Sequence, residues 1–158
     1  PALTREKEIR FDRIVVGCDF SEDSNLALEY GLALAQEYQS DIYMVHVLET
    51  PRYSDIPRSV QDAREQIRKS LHKQLKEKLE SLVPPDAYNW CKPKTRLVSG
   101  IAHEELVKFA DVEDIDLIIM GVRGHSLVGS FFVGATTERV IRKAGCAVLS
   151  VRPTSTPS

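Results

Sequence analysis

Long apolar runs are missing from this sequence. The longest are about five to seven residues, against the roughly 20 that a helix needs to cross a bilayer, so no membrane segment is expected. The first residues, Pro1-Ala2-Leu3-Thr4-Arg5-Glu6-Lys7, hold no apolar core of the signal-peptide kind. Cysteine is scarce: Cys18, Cys91 and Cys146 are odd in number, widely spaced and never paired as Cys-x-x-Cys. That excludes a disulfide framework and a zinc or dithiol site. Free thiols suit a reducing compartment, and a cytoplasmic location is expected. No two histidines stand at metal-ligand spacing, so no metal site is expected. Charge imbalance is also slight. Lys and Arg number 21 against 23 Asp and Glu, a net charge of −2, with no basic stripe along the chain. There is thus no electrostatic footprint for nucleic acid.

Familiar nucleotide loops are absent as well. Gly124 and Gly129 have the glycine spacing of a Walker A loop, but Ser130 and Phe131 stand where its lysine and hydroxyl residue belong. After the first apolar run the chain reads Gly17-Cys18-Asp19-Phe20-Ser21. This is neither a Gly-x-Gly-x-x-Gly fingerprint nor a Ser-Gly-Gly-x-Asp-Ser loop.

What is present is enough for one soluble domain. The chain has 158 residues, 42% apolar and 28% charged. Five short β-branched runs fall at 11–18, 42–48, 94–98, 116–120 and 146–151. They are mostly continuous rather than alternating, as strands covered on both faces are. Helical patterns separate them at 24–39, 59–82, 101–112 and 136–144. Ser21 or Ser24 is available to cap the first, and Gly145 follows the last. On the long second helix Ile67, Leu71, Leu75, Leu79 and Leu82 form one stripe, expected to be core. Residues 49–58 read as a polar, proline-bearing loop, and 1–9 and 153–158 as flexible tails. The strand–helix alternation predicts a single doubly wound α/β domain over 10–152, a parallel sheet with helices on both faces.

Such sheets bind ligands beyond the carboxyl ends of their strands. Asp19 follows the first strand, and Gly121-Val122-Arg123-Gly124-His125-Ser126 follows the fourth. Gly134-Ala135-Thr136-Thr137 opens the last helix, where unpartnered N–H groups and the helix dipole suit a phosphate. Arg123 and His125 are placed either to reach a terminal phosphate or to face solvent. His46 is expected to be buried and structural, and His72 and His103 to lie on helix surfaces. No residue pair argues for catalysis, so the catalytic set is empty.

Gly121-x-x-Gly124, nine residues and then Gly134 resembles the Gly-x-x-Gly-x(9)-Gly-Ser/Thr signature of the ATP-binding universal stress proteins. Ile14 to Ser21 is similar to that family's first strand and loop, Val45-His46-Val47 to its second strand, and Cys146 to Arg152 to its last. The resemblance implies a Rossmann-like five-stranded sheet of order 3-2-1-4-5. It implies that Asp19, by its carboxylate, and Val47, by its backbone, lie at the adenosine end. Met120, Gly121, Gly124, Gly134, Ala135, Thr136 and Thr137 would then line ribose and phosphates. Ala135 replaces the signature hydroxyl residue. The ligand implied is ATP, or ADP or AMP, with or without magnesium. The implied partners are a second copy, paired through Ala147, Val148, Leu149, Ser150 and Val151, and a protein that reads the bound state. Three functions follow: a nucleotide-dependent regulatory switch, a slow ATPase, or a dimeric scaffold that has lost the nucleotide.

Overall fold

The structure, a computed structural model, describes residues 8–49, 60–123 and 133–154. The apolar runs form strands β1 (Arg13–Gly17), β2 (Asp41–Leu48), β3 (Lys94–Ser99), β4 (Leu117–Gly121) and β5 (Ala147–Val151). Between them lie α1 (Glu22–Tyr38), α2 (Gln61–Ser81), α3 (Ala102–Val112) and α4 (Ala135–Lys143). All neighbouring strands are parallel, in the order β3-β2-β1-β4-β5. The α/β class and the strand order are those the sequence implied.

Strand residues alternate between two cores, because successive side chains leave a strand on opposite faces. Ile14, Val16, Ile42, Met44 and Ile119 pack against Ala27, Leu28 and Leu32 of α1 and Leu79 of α2. Val15, Tyr43, Val45, Ile118 and Met120 pack against Leu106 and Ala110 of α3 and Val140 of α4. Burial of each large aliphatic side chain contributes about 1.5–3 kcal/mol. Gly31 lets α1 lie close to the sheet. A Cβ there would stand 2.6 Å from Val16 Cγ2 and 3.1 Å from Ile42 Cδ1.

Helix α1 starts at Glu22, two residues before the expected start. Ser21 is the cap: its hydroxyl oxygen accepts the Ser24 N–H at 3.2 Å. The α2 stripe is core only in its C-terminal half. Leu79 is fully buried, whereas Ile67 is 67% and Leu71 44% exposed. Length explains this. A 21-residue helix extends about 31 Å, while the six residues of β3 extend about 20 Å. The helix overruns the sheet edge beneath it. A 3₁₀ turn at Pro85–Asn89, which periodicity does not announce, follows α2. It buries Ala87 and brings Cys91 into the α1-side core. His103 corrects the surface expectation: it is 7% exposed, on the same face of α3 as Leu106 and Ala110. The expected loop at 50–58, the tails at 1–7 and 155–158, and Gly124, His125 and Ser126 lie outside the described residues.

Candidate functional site

The strand order reverses between β1 and β4, and a cavity of about 610 Å³ opens beyond the carboxyl ends of these strands. That volume is in the range of small-molecule sites. Asp19 and Val47 line it from the β1 and β2 side, and Met120 and Gly121 from the end of β4. Gly134, Ala135, Thr136 and Thr137 line it from the start of α4. Leu106 and Ala102 of α3 add an apolar wall that was not expected from the sequence.

The chain beyond β4 folds back to place α4. The Val122 N–H donates to the Val151 carbonyl at 2.8 Å, and the Gly134 N–H donates to the Val122 carbonyl at 2.7 Å. Gly134 then caps α4 in extended conformation (φ −60°, ψ 148°), without a side-chain hydrogen bond. The N–H groups of Ala135, Thr136 and Thr137 have no acceptor within the helix, and the helix dipole is positive there. Thr136 is half-buried beside them. Thr137 is buried, and its hydroxyl donates to the Gly121 carbonyl at 2.8 Å. Its single proton therefore pins α4 to β4 rather than pointing at a phosphate.

The matching family model is the universal stress protein family, over residues 10–152. The chain belongs to the universal stress protein family. It is 29% identical over 152 residues to the universal stress protein MJ0531 of Methanocaldococcus jannaschii, a match that covers 96% of this chain and 88% of that one. It is 28% identical over 156 residues to the universal stress protein MJ0577 of the same organism, covering 91% of this chain and 96% of that one. The solved structure of MJ0577 superposes with a TM-score of 0.78 at 30% identity, covering 94% of this chain and all of that one. A universal stress protein from Archaeoglobus fulgidus, solved in complex with dAMP, shares the fold at 20% identity and a TM-score of 0.62, covering 91% of this chain and all of that one.

In this universal stress protein the wall between β1 and α1 is heavily self-bonded. Asp19 Oδ1 accepts both the N–H and the hydroxyl of Ser21. The Asp19 N–H donates to Ser24 Oγ at 3.2 Å. Phe20 between them has φ 66°, a left-handed conformation uncommon for a bulky residue. Its ring packs on His46 at 4.8 Å, and Lys78 Nζ from α2 lies 4.1 Å from the ring centre. His46 is half-buried rather than buried, with Nδ1 2.7 Å from the Cys18 carbonyl. Behind this wall, burial above all, with Asp19 second, pushes the Cys18 thiol up to about 12.

Asp23, which nothing in the sequence singled out, is 3% exposed. Its carboxylate accepts three bonds from Arg123: the backbone N–H at 2.9 Å, Nε–H at 3.2 Å and Nη2–H at 3.1 Å. The hydrogen bond to Asp23, ahead of the carboxylate's charge, pushes the Arg123 guanidinium further up. Arg123 is thus held by α1, not extended towards solvent. The same contact explains Gly121. A Cβ there would lie 2.5 Å from Asp23 Cβ and 2.7 Å from its carbonyl carbon. Gly121 is small because the start of α1 presses on it. The helix was expected to begin one residue after Asp23, and the partner of that acid lies 100 positions away in the chain.

Proposed function

We propose that this chain is a stress-response regulator that binds an adenine nucleotide in the crevice between β1 and β4. The bound state acts as a switch read by a protein partner in the cytoplasm. The observation that carries this reading is convergence: every expected site residue among those described lines one cavity at the reversal of strand order. The Archaeoglobus fulgidus relative solved with dAMP agrees with an adenine ligand for this fold.

In this reading the base lies against the backbone of Val47, and the phosphates meet the first turn of α4. Magnesium would enter with the phosphates, since no cluster of three or more His, Cys, Asp or Glu among the described residues could hold a metal by itself. Nothing in the described lining orients a water for in-line attack, so turnover should be very slow. The edge strand β5 would pair with a second copy about a two-fold axis.

The test is mass spectrometry of nucleotide released from freshly purified, heat-denatured protein, followed by calorimetric titration with ATP and GTP. Adenine nucleotide should be released, and ATP should bind more tightly than GTP. Equal or tighter GTP binding, or no binding of either, overturns the proposal.

A further inference from the structure

At the β3 edge of the sheet the chain reads Lys92-Pro93-Lys94-Thr95-Arg96-Leu97-Val98. Basic residues fall at every second position, and alternate side chains of an extended chain share a face. Pro93 biases Lys92 towards extended backbone, so the row continues one step ahead of the strand. Lys92, Lys94 and Arg96 are all exposed. Tyr43 of β2 stands opposite Lys94 in the parallel register. Its ring belongs to a side chain that is 2% exposed, with Lys94 Nζ 5.2 Å and Arg96 Cζ 5.8 Å from the ring centre. Arg13 Cζ lies 5.8 Å from the same centre, but its charge is answered by Glu113 of α3 at 3.7 Å, with Asp41 nearby. Among the described residues no carboxylate pairs with Lys92, Lys94 or Arg96. Arg96 Nη1 donates instead to the Thr95 carbonyl at 2.9 Å. On the other face of β3, Leu97 packs into the α1-side core. Residues 92–98 take no part in lining the crevice.

A row of like charges about 6.6 Å apart repels itself, and an extended segment with acids at every second position has the same spacing. We propose that the β3 edge is a docking surface for an acidic segment of a protein partner, bound in extended form with its carboxylates on Lys92, Lys94 and Arg96. The Tyr43 ring prepares the surface. Its negative face draws the Lys94 and Arg96 heads towards one place, so less side-chain freedom is lost when the segment arrives. A second copy of the chain does not suit this edge, because β3 against β3 sets like charges face to face. A single nucleic-acid strand needs exposed aromatic faces for its bases, and the ring beneath this row is buried. The surface is separate from the crevice, and the proposal does not rest on the nucleotide reading.

The experiment is fluorescence anisotropy with a labelled peptide of alternating threonine and glutamate, titrated with the full chain at low ionic strength. The peptide should bind, added salt should weaken it, and the same peptide with lysine for glutamate should not bind. Lys94→Glu combined with Arg96→Glu should weaken binding about tenfold, the scale of two cross-strand charge pairs reversed. Lys69→Glu combined with Lys73→Glu makes the same change in net charge at exposed positions of α2 and should leave binding nearly unchanged. Three results overturn the proposal: no binding of the glutamate peptide to the wild type, equal losses in the two double variants, or a short oligouridylate that binds as tightly as the peptide. The first and third need no variant to fold. Adenosine titrated into the same proteins should be indifferent to both double variants, so a failure at this edge is distinct from a failure of the nucleotide reading.

Discussion

Where β1 passes into α1, Ser21 caps the helix, Asp19 is bonded to Ser21, and Phe20 is held in a left-handed turn by His46. Where β4 passes into α4, Gly134 caps with backbone alone. The two junctions face each other across one cavity and dispose of their polar groups in opposite ways. The first bonds to itself and becomes a rigid wall. The second keeps the first-turn N–H groups of α4 facing the crevice. Rigidity on one side and unsatisfied donors on the other are what a pre-formed anion subsite requires. Arg123 and Asp23 tie the two sides together.

Cutting that tie should have the largest effect. Arg123→Met leaves the Asp23 carboxylate buried without its partner, a strongly destabilising change. It should lower the urea midpoint further than Gly121→Ala, Ser21→Ala or Ala135→Ser. A midpoint above that of Gly121→Ala would show that the pair does not hold the walls together. Gly121→Ala inserts a methyl group into the start of α1 and should cost about 1–3 kcal/mol by overpacking, measured by the same denaturation.

The first wall also carries a proton. The folded state holds the Cys18 proton more tightly than the unfolded chain, whose thiols titrate near 9.0. The stabilisation is whole below pH 9 and is lost as pH climbs towards about 12. Burial raises Cys91 and Cys146 in the same direction. Between pH 9 and 11, wild-type stability should fall more steeply than that of Cys18→Ala, by up to roughly 1.4 kcal/mol per pH unit. Parallel curves would mean that Cys18 ionises without opening the wall.

The smallest changes separate the walls most cleanly. Ser21→Ala removes a helix cap and should cost about 1 kcal/mol of stability with little effect on phosphate affinity. Ala135→Ser should leave stability alone and tighten AMP by up to about 1.5 kcal/mol through one added hydroxyl. Adenosine binding should change in neither. Stability measured by urea and affinity by calorimetry should move independently; if both substitutions shift both quantities, the contrast between the junctions is wrong.

The strands were legible because β-branched runs of five to eight residues between helical patterns have few other uses. Their order was not contained in that periodicity; it came with the resemblance to a known family. The crevice followed from order and glycine spacing together. What escaped reading was set by partners distant in the chain. Nothing local to Asp23 announces Arg123, and nothing in Thr137 says that its proton goes to the Gly121 carbonyl. The α2 stripe misled for a different reason. Periodicity reports which side of a helix is apolar, not how far the sheet beneath it extends.

The overrun of α2 has a kinetic consequence. Leu79 and its neighbours are locked into the α1-side core, so their amides should exchange with deuterium only through global unfolding. The turns around Ile67 and Leu71 lack that anchorage and should open on their own, with a much smaller free energy. Arg64, Arg68 and Lys69 sit on those turns. Trypsin applied to the native protein should therefore cut at Arg64, Arg68 or Lys69 before it cuts at Lys76 or Lys78, while the strands around the crevice remain whole.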